Sequence, residues 1–399
     1  MLLPFQRNRP GGFLLPPRAL NWFALEAQPL AQLVKVGRGR KTWRVQTEGD
    51  LAFYAKVFEP TGPRFWMRLK RLVEADAAKR EWKTLCRAAA RGVPAPQVVS
   101  LCMHGTNGRS VFVTEEITHA RSLARTWSDD VELLPKGRRA VVATLAEAVA
   151  RAFAEAHRAG FVHRDAHPEN ILLQETPDGL RAVFVDVRGA HLSRGPASLK
   201  RAARSIAQLD HFFRRRATRT ERLRFLKSYL GGTVSRKLGR EGRDSLGAIN
   251  QSGVAHARAL ARQRDRRTRR SAKYFGKIDL GKGHRATVVL KLARRHVFPE
   301  PQVPDRTPDE WRSLLQPIVF NRLAPHDLLC VEEQSVRRWS ALLGWSLRGS
   351  PARRAFLHSH CLRHRDILSE LILGYVEHRN SLGMIDRAWL IRPGRPLSC

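Results

Sequence analysis

After Leu33 the chain runs through short stretches of alternating apolar and polar residues, LVKVG, TWRVQ and LAFYAKVF, divided by small polar or glycine-containing turns. That period of two predicts a hairpin meander. A stretch rich in Ala, Leu, Lys, Arg and Glu predicts a helix over roughly Trp66 to Arg91. Gly92 suits the left-handed residue after its last turn, and Pro94 and Pro96 forbid continuation. QVVSLCMH and RSVFVTEEI predict two further strands around a Gly105–Gly108 turn. Then the period changes. Val141, Leu145, Val149 and Phe153 recur every four residues, widened by Val142 and Ala156, and predict a helix ending at Gly160.

A loop and buried strand, FVHRDAHPENILLQ, follow, then a turn at Pro177-Asp178-Gly179 and the strand-like run RAVFVDV. Leu199–Arg216 and Thr220–Leu230 return to helical character, and residues 246–272 carry the basic run ALARQRDRRTRR, expected as a connecting helix with a solvated face. KYFGKIDLGKGHRATVVLKLARR predicts two strands around a glycine turn. A Pro-rich passage (Pro299, Pro301, Pro304, Pro308) and more helix come next, then two strand-like runs, SELILGYVEHR and IDRAWLIRPG.

Composition narrows the class. With 399 residues, 43% of them hydrophobic and 27% charged, the chain is globular and long enough for two or three domains. Its net charge of +36 should attract phosphates, whether on a nucleotide, a nucleic acid or an anionic membrane leaflet. Cys86, Cys102, Cys330, Cys361 and Cys399 are scattered without a CxxC pair, which argues against a disulfide scaffold or zinc ribbon and for a reducing cytoplasm. No apolar run approaches the roughly 18 residues that span a bilayer, and MLLPFQRNRPGGFLLPP lacks the ordered regions of a signal peptide. The expected location is cytoplasmic, with peripheral contact at the inner membrane through positive charge.

The chemistry concentrates in His163-Arg164-Asp165-Ala166-His167-Pro168-Glu169-Asn170 and, beyond it, Asp186 at the end of the apolar run Ala182-Val183-Phe184-Val185. Phosphoryl transfer needs such a set: one carboxylate to orient and deprotonate the acceptor hydroxyl, an amide oxygen and a second carboxylate to hold magnesium against the phosphates. The HxDxxxxN loop followed by a strand-end Asp resembles the protein-kinase-like fold. This resemblance implies a catalytic Asp165, metal ligands Asn170 and Asp186, and ATP with Mg2+ as cofactors. It also implies that Gly37 and Gly39 cover the phosphates, that Lys56 grips them, and that Glu81 orients Lys56, with Glu74 a competing partner. Glu115, Glu116 and Ile117 fall where an interlobe hinge would hold adenine by main-chain groups.

GVPAP, the TEEI hinge and FVHRDAHPENILL resemble the lipopolysaccharide kinase (Kdo/WaaP) family over roughly residues 31 to 230. The resemblance implies phosphorylation of a sugar hydroxyl of a lipopolysaccharide core or similar glycolipid. The fold expected is α+β and bilobal: an irregular leader (1–30), a β-rich N-lobe (31–118), a helical C-lobe (119–245), the basic connector (246–272) and a C-terminal α+β segment (273–399). For that last segment two readings stand: an incomplete second N-lobe, in which Gly281-Lys282-Gly283 and Lys291 echo Gly37-Arg38-Gly39 and Lys56, or an unrelated appendage.

Departures from the family keep alternatives open. Asp186-Val187-Arg188 stands where DFG is usual, and no APE segment follows. The loop also fits HxDxxPxN, as in aminoglycoside and choline phosphotransferases. A Ser/Thr protein kinase or a small-molecule phosphotransferase is therefore an alternative, and a non-catalytic pseudokinase binding an anionic membrane or nucleic acid is one of another class. Nucleic acid is not the expected partner, and the oligomeric state is open.

Overall fold

A computed structural model describes residues 2–3, 21–37, 39–47, 51–59, 77–103, 109–133, 137–231, 240–271, 273–292, 304–321 and 329–394. They form two compact units, Met1–Gly253 and Val254–Cys399. Glu74, Arg38, the Gly105–Gly108 turn, Pro299, Pro301, Cys399 and the first part of the Trp66–Arg91 helix lie outside the described residues.

The first unit opens with a six-stranded antiparallel sheet built from β1 (Leu2–Leu3), β2 (Ala31–Gly37), β3 (Arg40–Gln46), β4 (Ala52–Phe58), β5 (Val98–Met103) and β6 (Ser110–Glu115), in the order β1-β5-β6-β4-β3-β2. Gly37 pairs with Arg40 across a tight turn in which Gly39 takes φ +66°. Between β4 and β5 lies α1 (Ala77–Ala89), whose inner face is Ala78, Glu81, Leu85 and Ala88 at helical spacing. As expected, Gly92 ends it at φ +72°, with the Val93 N–H donating back to Ala88 O. Within the expected leader, residues 2–3 and 21–30 are described, and they are packed. β1 pairs with β5, and Trp22 and Leu25 are buried with Trp43, Val45 and Phe53. Covering an otherwise open sheet edge is the physical gain.

The helical half comprises β7 (Ala120–Ser122), α2 (Leu123–Thr126), α3 (Arg138–Arg158), β8 (Phe161–Val162), β9 (Ile171–Thr176), β10 (Gly179–Phe184), β11 (His191–Leu192), α4 (Leu199–Phe213), α5 (Arg219–Tyr229) and α6 (Arg240–Thr268). β10, β9 and β7 form one ladder and β11 with β8 another. The apolar stripe of α3 is buried as its four-residue period predicts. Phe153 meets Phe184 edge-on at 5.1 Å between ring centroids and Phe225 at 6.1 Å, so α3 clamps β10 against α5. α6 begins in this unit and runs through the boundary into the next.

The second unit is also α+β. β12 (Phe275–Gly281), β13 (His284–Val289), α7 (Pro308–Asn321), β14 (Leu329–Ser335), α8 (Trp339–Arg348), α9 (Pro351–His364), β15 (Gly374–Arg379) and β16 (Ile385–Pro393) follow in sequence. Trp311 and Leu315 of α7 pack on one sheet face with Ile278, Val288 and Trp389; Phe356 of α9 packs on the other with Phe275, Tyr375 and Leu390. The strand order is β12-β13-β15-β16-β14. In the first unit the strand after the glycine hairpin, β4, lies beside β3. Here the third strand in sequence, β14, is at the far edge, and Lys291 lies two residues beyond the second strand of the hairpin. The two sheets thus differ in strand order. β14 itself falls in a passage expected as helix; its Glu332, Glu333 and Gln334 suit an exposed edge.

His157, in the last turn of α3, is buried with its Nδ1 2.8 Å from the Tyr229 hydroxyl. Burial drives its pKa from 6.5 down to about 4 and that of Tyr229 up to about 12. The unfolded chain thus takes up this proton near pH 6.5 and the folded chain only near pH 4. Stability is full above pH 6.5 and falls by up to about 3 kcal/mol as pH drops through that window. Urea unfolding at pH 7.5 and 4.5 should show a smaller loss in His157→Gln than in the parent, by about 2–3 kcal/mol.

Candidate active site

Lys56 sits in the middle of β4, where the alternation of the strand turns it away from the apolar side that holds Ala55 and Val57. Its Nζ forms an ion pair with Oε1 of Glu81, which is 0% exposed on the inner face of α1. The same Nζ lies 3.8 Å from Oδ1 of Asp186. A buried carboxylate needs a cation, and Lys56 is the one that reaches it. The other oxygen of Glu81, Oε2, is buried without a hydrogen-bond partner among the described residues, so the carboxylate depends on Lys56.

Asp186 is fixed from the chain side. The Phe184 N–H donates to Pro94 O in the GVPAP turn, and the Val185 N–H donates to Asn170 O, both at 2.9 Å. Asp186 then takes φ +54°, a left-handed conformation unusual outside glycine and concentrated at functional sites. Partial burial would raise its pKa, but Lys56 and a bidentate contact from Arg40 (3.2 and 3.4 Å) outweigh that and hold the carboxyl below its usual range.

The HRD segment forms a loop between β8 and β9. Buried His163 accepts from the Asp165 N–H at Nδ1 (3.2 Å), which leaves Nε2–H to donate to Val185 O (2.9 Å). Burial, the strongest influence on it, keeps this ring neutral by lowering its pKa. Ser205 and Gln208 of α4 brace the loop: Ser205 Oγ donates to His163 O, Gln208 Nε2 donates to Arg164 O and its Oε1 accepts from the Ala166 N–H. Asn170 donates through Nδ2 to Asp165 O (2.9 Å) and Asp165 Oδ2 (3.2 Å). An amide so engaged has its oxygen left to ligate. Asn170 and Asp186 thus carry two hard oxygens of the kind that suits Mg2+, although both Asp186 oxygens face Arg40 here and would have to exchange that partner for the ion. Among the described residues no group of three or more His, Cys, Asp or Glu could hold a metal by itself.

In the segment expected as a hinge, the Glu115 N–H donates to Gln97 O and the Glu116 N–H to Ala52 O, while Glu116 accepts a bidentate pair from Arg44 at 2.8 Å. Ile117 follows with no such backbone bond among the described residues. The structure therefore gathers Lys56, Glu81 and Asp186 in one connected group, joins Asp165 to Asn170, and ties the two groups through the Val185–Asn170 bond. Gly37 and Gly39 flank the β2–β3 turn next to Arg40. A Cβ on Gly37 would meet only ordinary contact, Arg40 O at 3.6 Å, so Gly39 alone needs glycine for its conformation. Sequence reasoning missed Arg40 and Arg44. The signal available was their place on β3 beside the glycine turn, read there only for its backbone amides.

The family model described as lipopolysaccharide kinase (Kdo/WaaP) family matches residues 40–229. The lipopolysaccharide core heptose(I) kinase WaaP of Pseudomonas aeruginosa is 29% identical over 207 residues, 48% of this chain and 74% of that protein. The serine/threonine-protein kinase PknL of Mycobacterium tuberculosis is 35% identical over 123 residues, 30% of each protein. A solved structure of WaaP in complex with acyl carrier protein aligns over 59% of this chain and 91% of that one, at 25% identity and a TM-score of 0.44. Over residues 40–229, just under half of its length, the chain is similar to the lipopolysaccharide kinase (Kdo/WaaP) family, and it is a kinase.

Proposed function

We propose that the chain transfers the terminal phosphoryl group of ATP to a sugar hydroxyl of a lipopolysaccharide core or a similar glycolipid. The observation that carries this reading is the approach of one lysine to two carboxylates from distant parts of the chain: Lys56 pairs with Glu81 and lies 3.8 Å from Asp186. In the proposed roles, Lys56 engages the phosphates and Glu81 fixes its position. The hairpin of Gly37 and Gly39 covers the phosphates, and Glu115 to Ile117 receive adenine. Asn170 and Asp186 would hold Mg2+, which when bound neutralises charge on the phosphates. Asp165, steadied by Asn170, orients the acceptor hydroxyl and takes its proton. The acceptor assignment is supported by the family and by the Pseudomonas aeruginosa heptose(I) kinase relative. A glycolipid acceptor and the net charge of +36 also favour peripheral contact with an anionic membrane.

Incubation with labelled ATP, Mg2+ and extracted envelope lipids, with mass spectrometry of the product, tests the reading. Label on core sugar supports it; label on protein or on a small molecule instead selects the corresponding alternative, and no magnesium-dependent turnover selects a pseudokinase. Asp165→Asn should lower kcat by about 100-fold or more with nucleotide affinity little changed, since it acts on the acceptor. Asp186→Asn should weaken binding of the magnesium-nucleotide in calorimetry as well as turnover. Glu81→Gln should lower kcat, and it tests whether the buried pair positions Lys56: parental kinetics in this variant would remove Glu81 from the site.

A further inference from the structure

Outside the family match, α8 presents an apolar line that none of the described residues of its own unit covers. Trp339, Leu343 and Leu347 are 62%, 49% and 84% exposed. Spaced by four residues, they fall within an arc of about 80° on the helix. The opposite side is conventional: Leu342 is buried, and Trp345 packs with Phe356 and Tyr375 on the sheet. The helix is held in place at both ends. The Val336 N–H donates to Asp386 O, and Ser346 Oγ accepts the Ile385 N–H at 3.0 Å. The exposed line is therefore a fixed feature of a packed element.

The charge around it is one-sided. From Gln334 to Arg365 there is no Asp or Glu, while Arg337, Arg338, Arg348, Arg353, Arg354, Arg363 and Arg365 fall in that span. Arg337 and Arg338 are exposed just before Trp339, and Arg348 just after Leu347. An apolar strip carrying Trp and Leu with arginines at both ends is the arrangement that sinks into the headgroup boundary of an anionic bilayer. A second copy of this chain fits poorly, because each copy carries +36 and would bring arginines against arginines. We infer that α8 is a membrane-docking helix, seating Trp339, Leu343 and Leu347 in an anionic lipid surface while Arg337, Arg338 and Arg348 meet its phosphates.

Flotation of the full chain with phosphatidylcholine vesicles, with and without 30 mol% phosphatidylglycerol, tests this without nucleotide or acceptor, so its outcome is separable from that of the phosphoryl-transfer reading. Binding is expected only to the anionic vesicles, weakening as salt rises. Leu343→Gln with Leu347→Gln keeps the charge and should lower the partition coefficient by about tenfold per leucine. Both side chains being exposed, the melting temperature should stay put. Emission should shift to the blue on vesicle addition for the parent and markedly less for Trp339→Phe. Three results would each overturn the inference: no vesicle binding, undiminished binding by the double leucine variant, or a parental dimer that those leucine changes dissolve.

Discussion

The candidate site of the first unit depends on a carboxylate that has no contact with water. Glu81 points from α1 into the space between helix and sheet, where an unpaired charge would cost several kcal/mol. Lys56 is the cation that compensates it, and the pairing fixes two things at once: the depth of α1 against β4, and the direction of the lysine head. With its stem anchored in the strand and its head held by Glu81, Lys56 faces Asp186.

The other half of the site is built mainly from backbone. Val185 serves as a double strut, its N–H bound to Asn170 O and its carbonyl accepting from His163. The loop carrying Asp165 and the strand end carrying Asp186 are consequently one hydrogen-bonded body. Phe184, one residue earlier, is fixed by Phe153 and Phe161 in the core and by Pro94 at the exit of α1. Substituting Val-Arg for Phe-Gly after Asp186 leaves this support intact, because none of it passes through those two side chains. Val187, the residue after Asp186, is itself buried in the core beside Phe184.

Arg40 adds a feature of its own. It stands immediately after Gly39, and its guanidinium binds both oxygens of Asp186. Two cations therefore converge on one carboxylate, and their field keeps it ionised despite partial burial. In the second unit Asp265 pairs with His364 and Arg365, and Glu377 accepts from Ser350, while the stretch from Gln334 to Arg365 that contains α8 holds no acid of its own.

Much of this was legible locally. Periods of two and four residues located β2 to β6 and α3, and Gly92 with its prolines located the end of α1, because each follows from the geometry of a few adjacent residues. The loop motif, with Asp165 and Asn170 five apart and Asp186 at the end of an apolar run, pointed to a phosphoryl-transfer set, and the folded chain joins Asn170 to Asp165 and ties it to Val185, next to Asp186. The sequence could not decide contacts whose partners are remote. Arg40 meets Asp186 across 146 positions, Arg44 meets Glu116 across 72, and both are ordinary arginines until the chain is folded. Nor could it order the strands of the second sheet or place the leader in the first, because a strand's own residues specify which face is apolar but not which neighbour completes its hydrogen bonds. That choice belongs to the whole chain, settled by which arrangement leaves the fewest edges and charges unpaired.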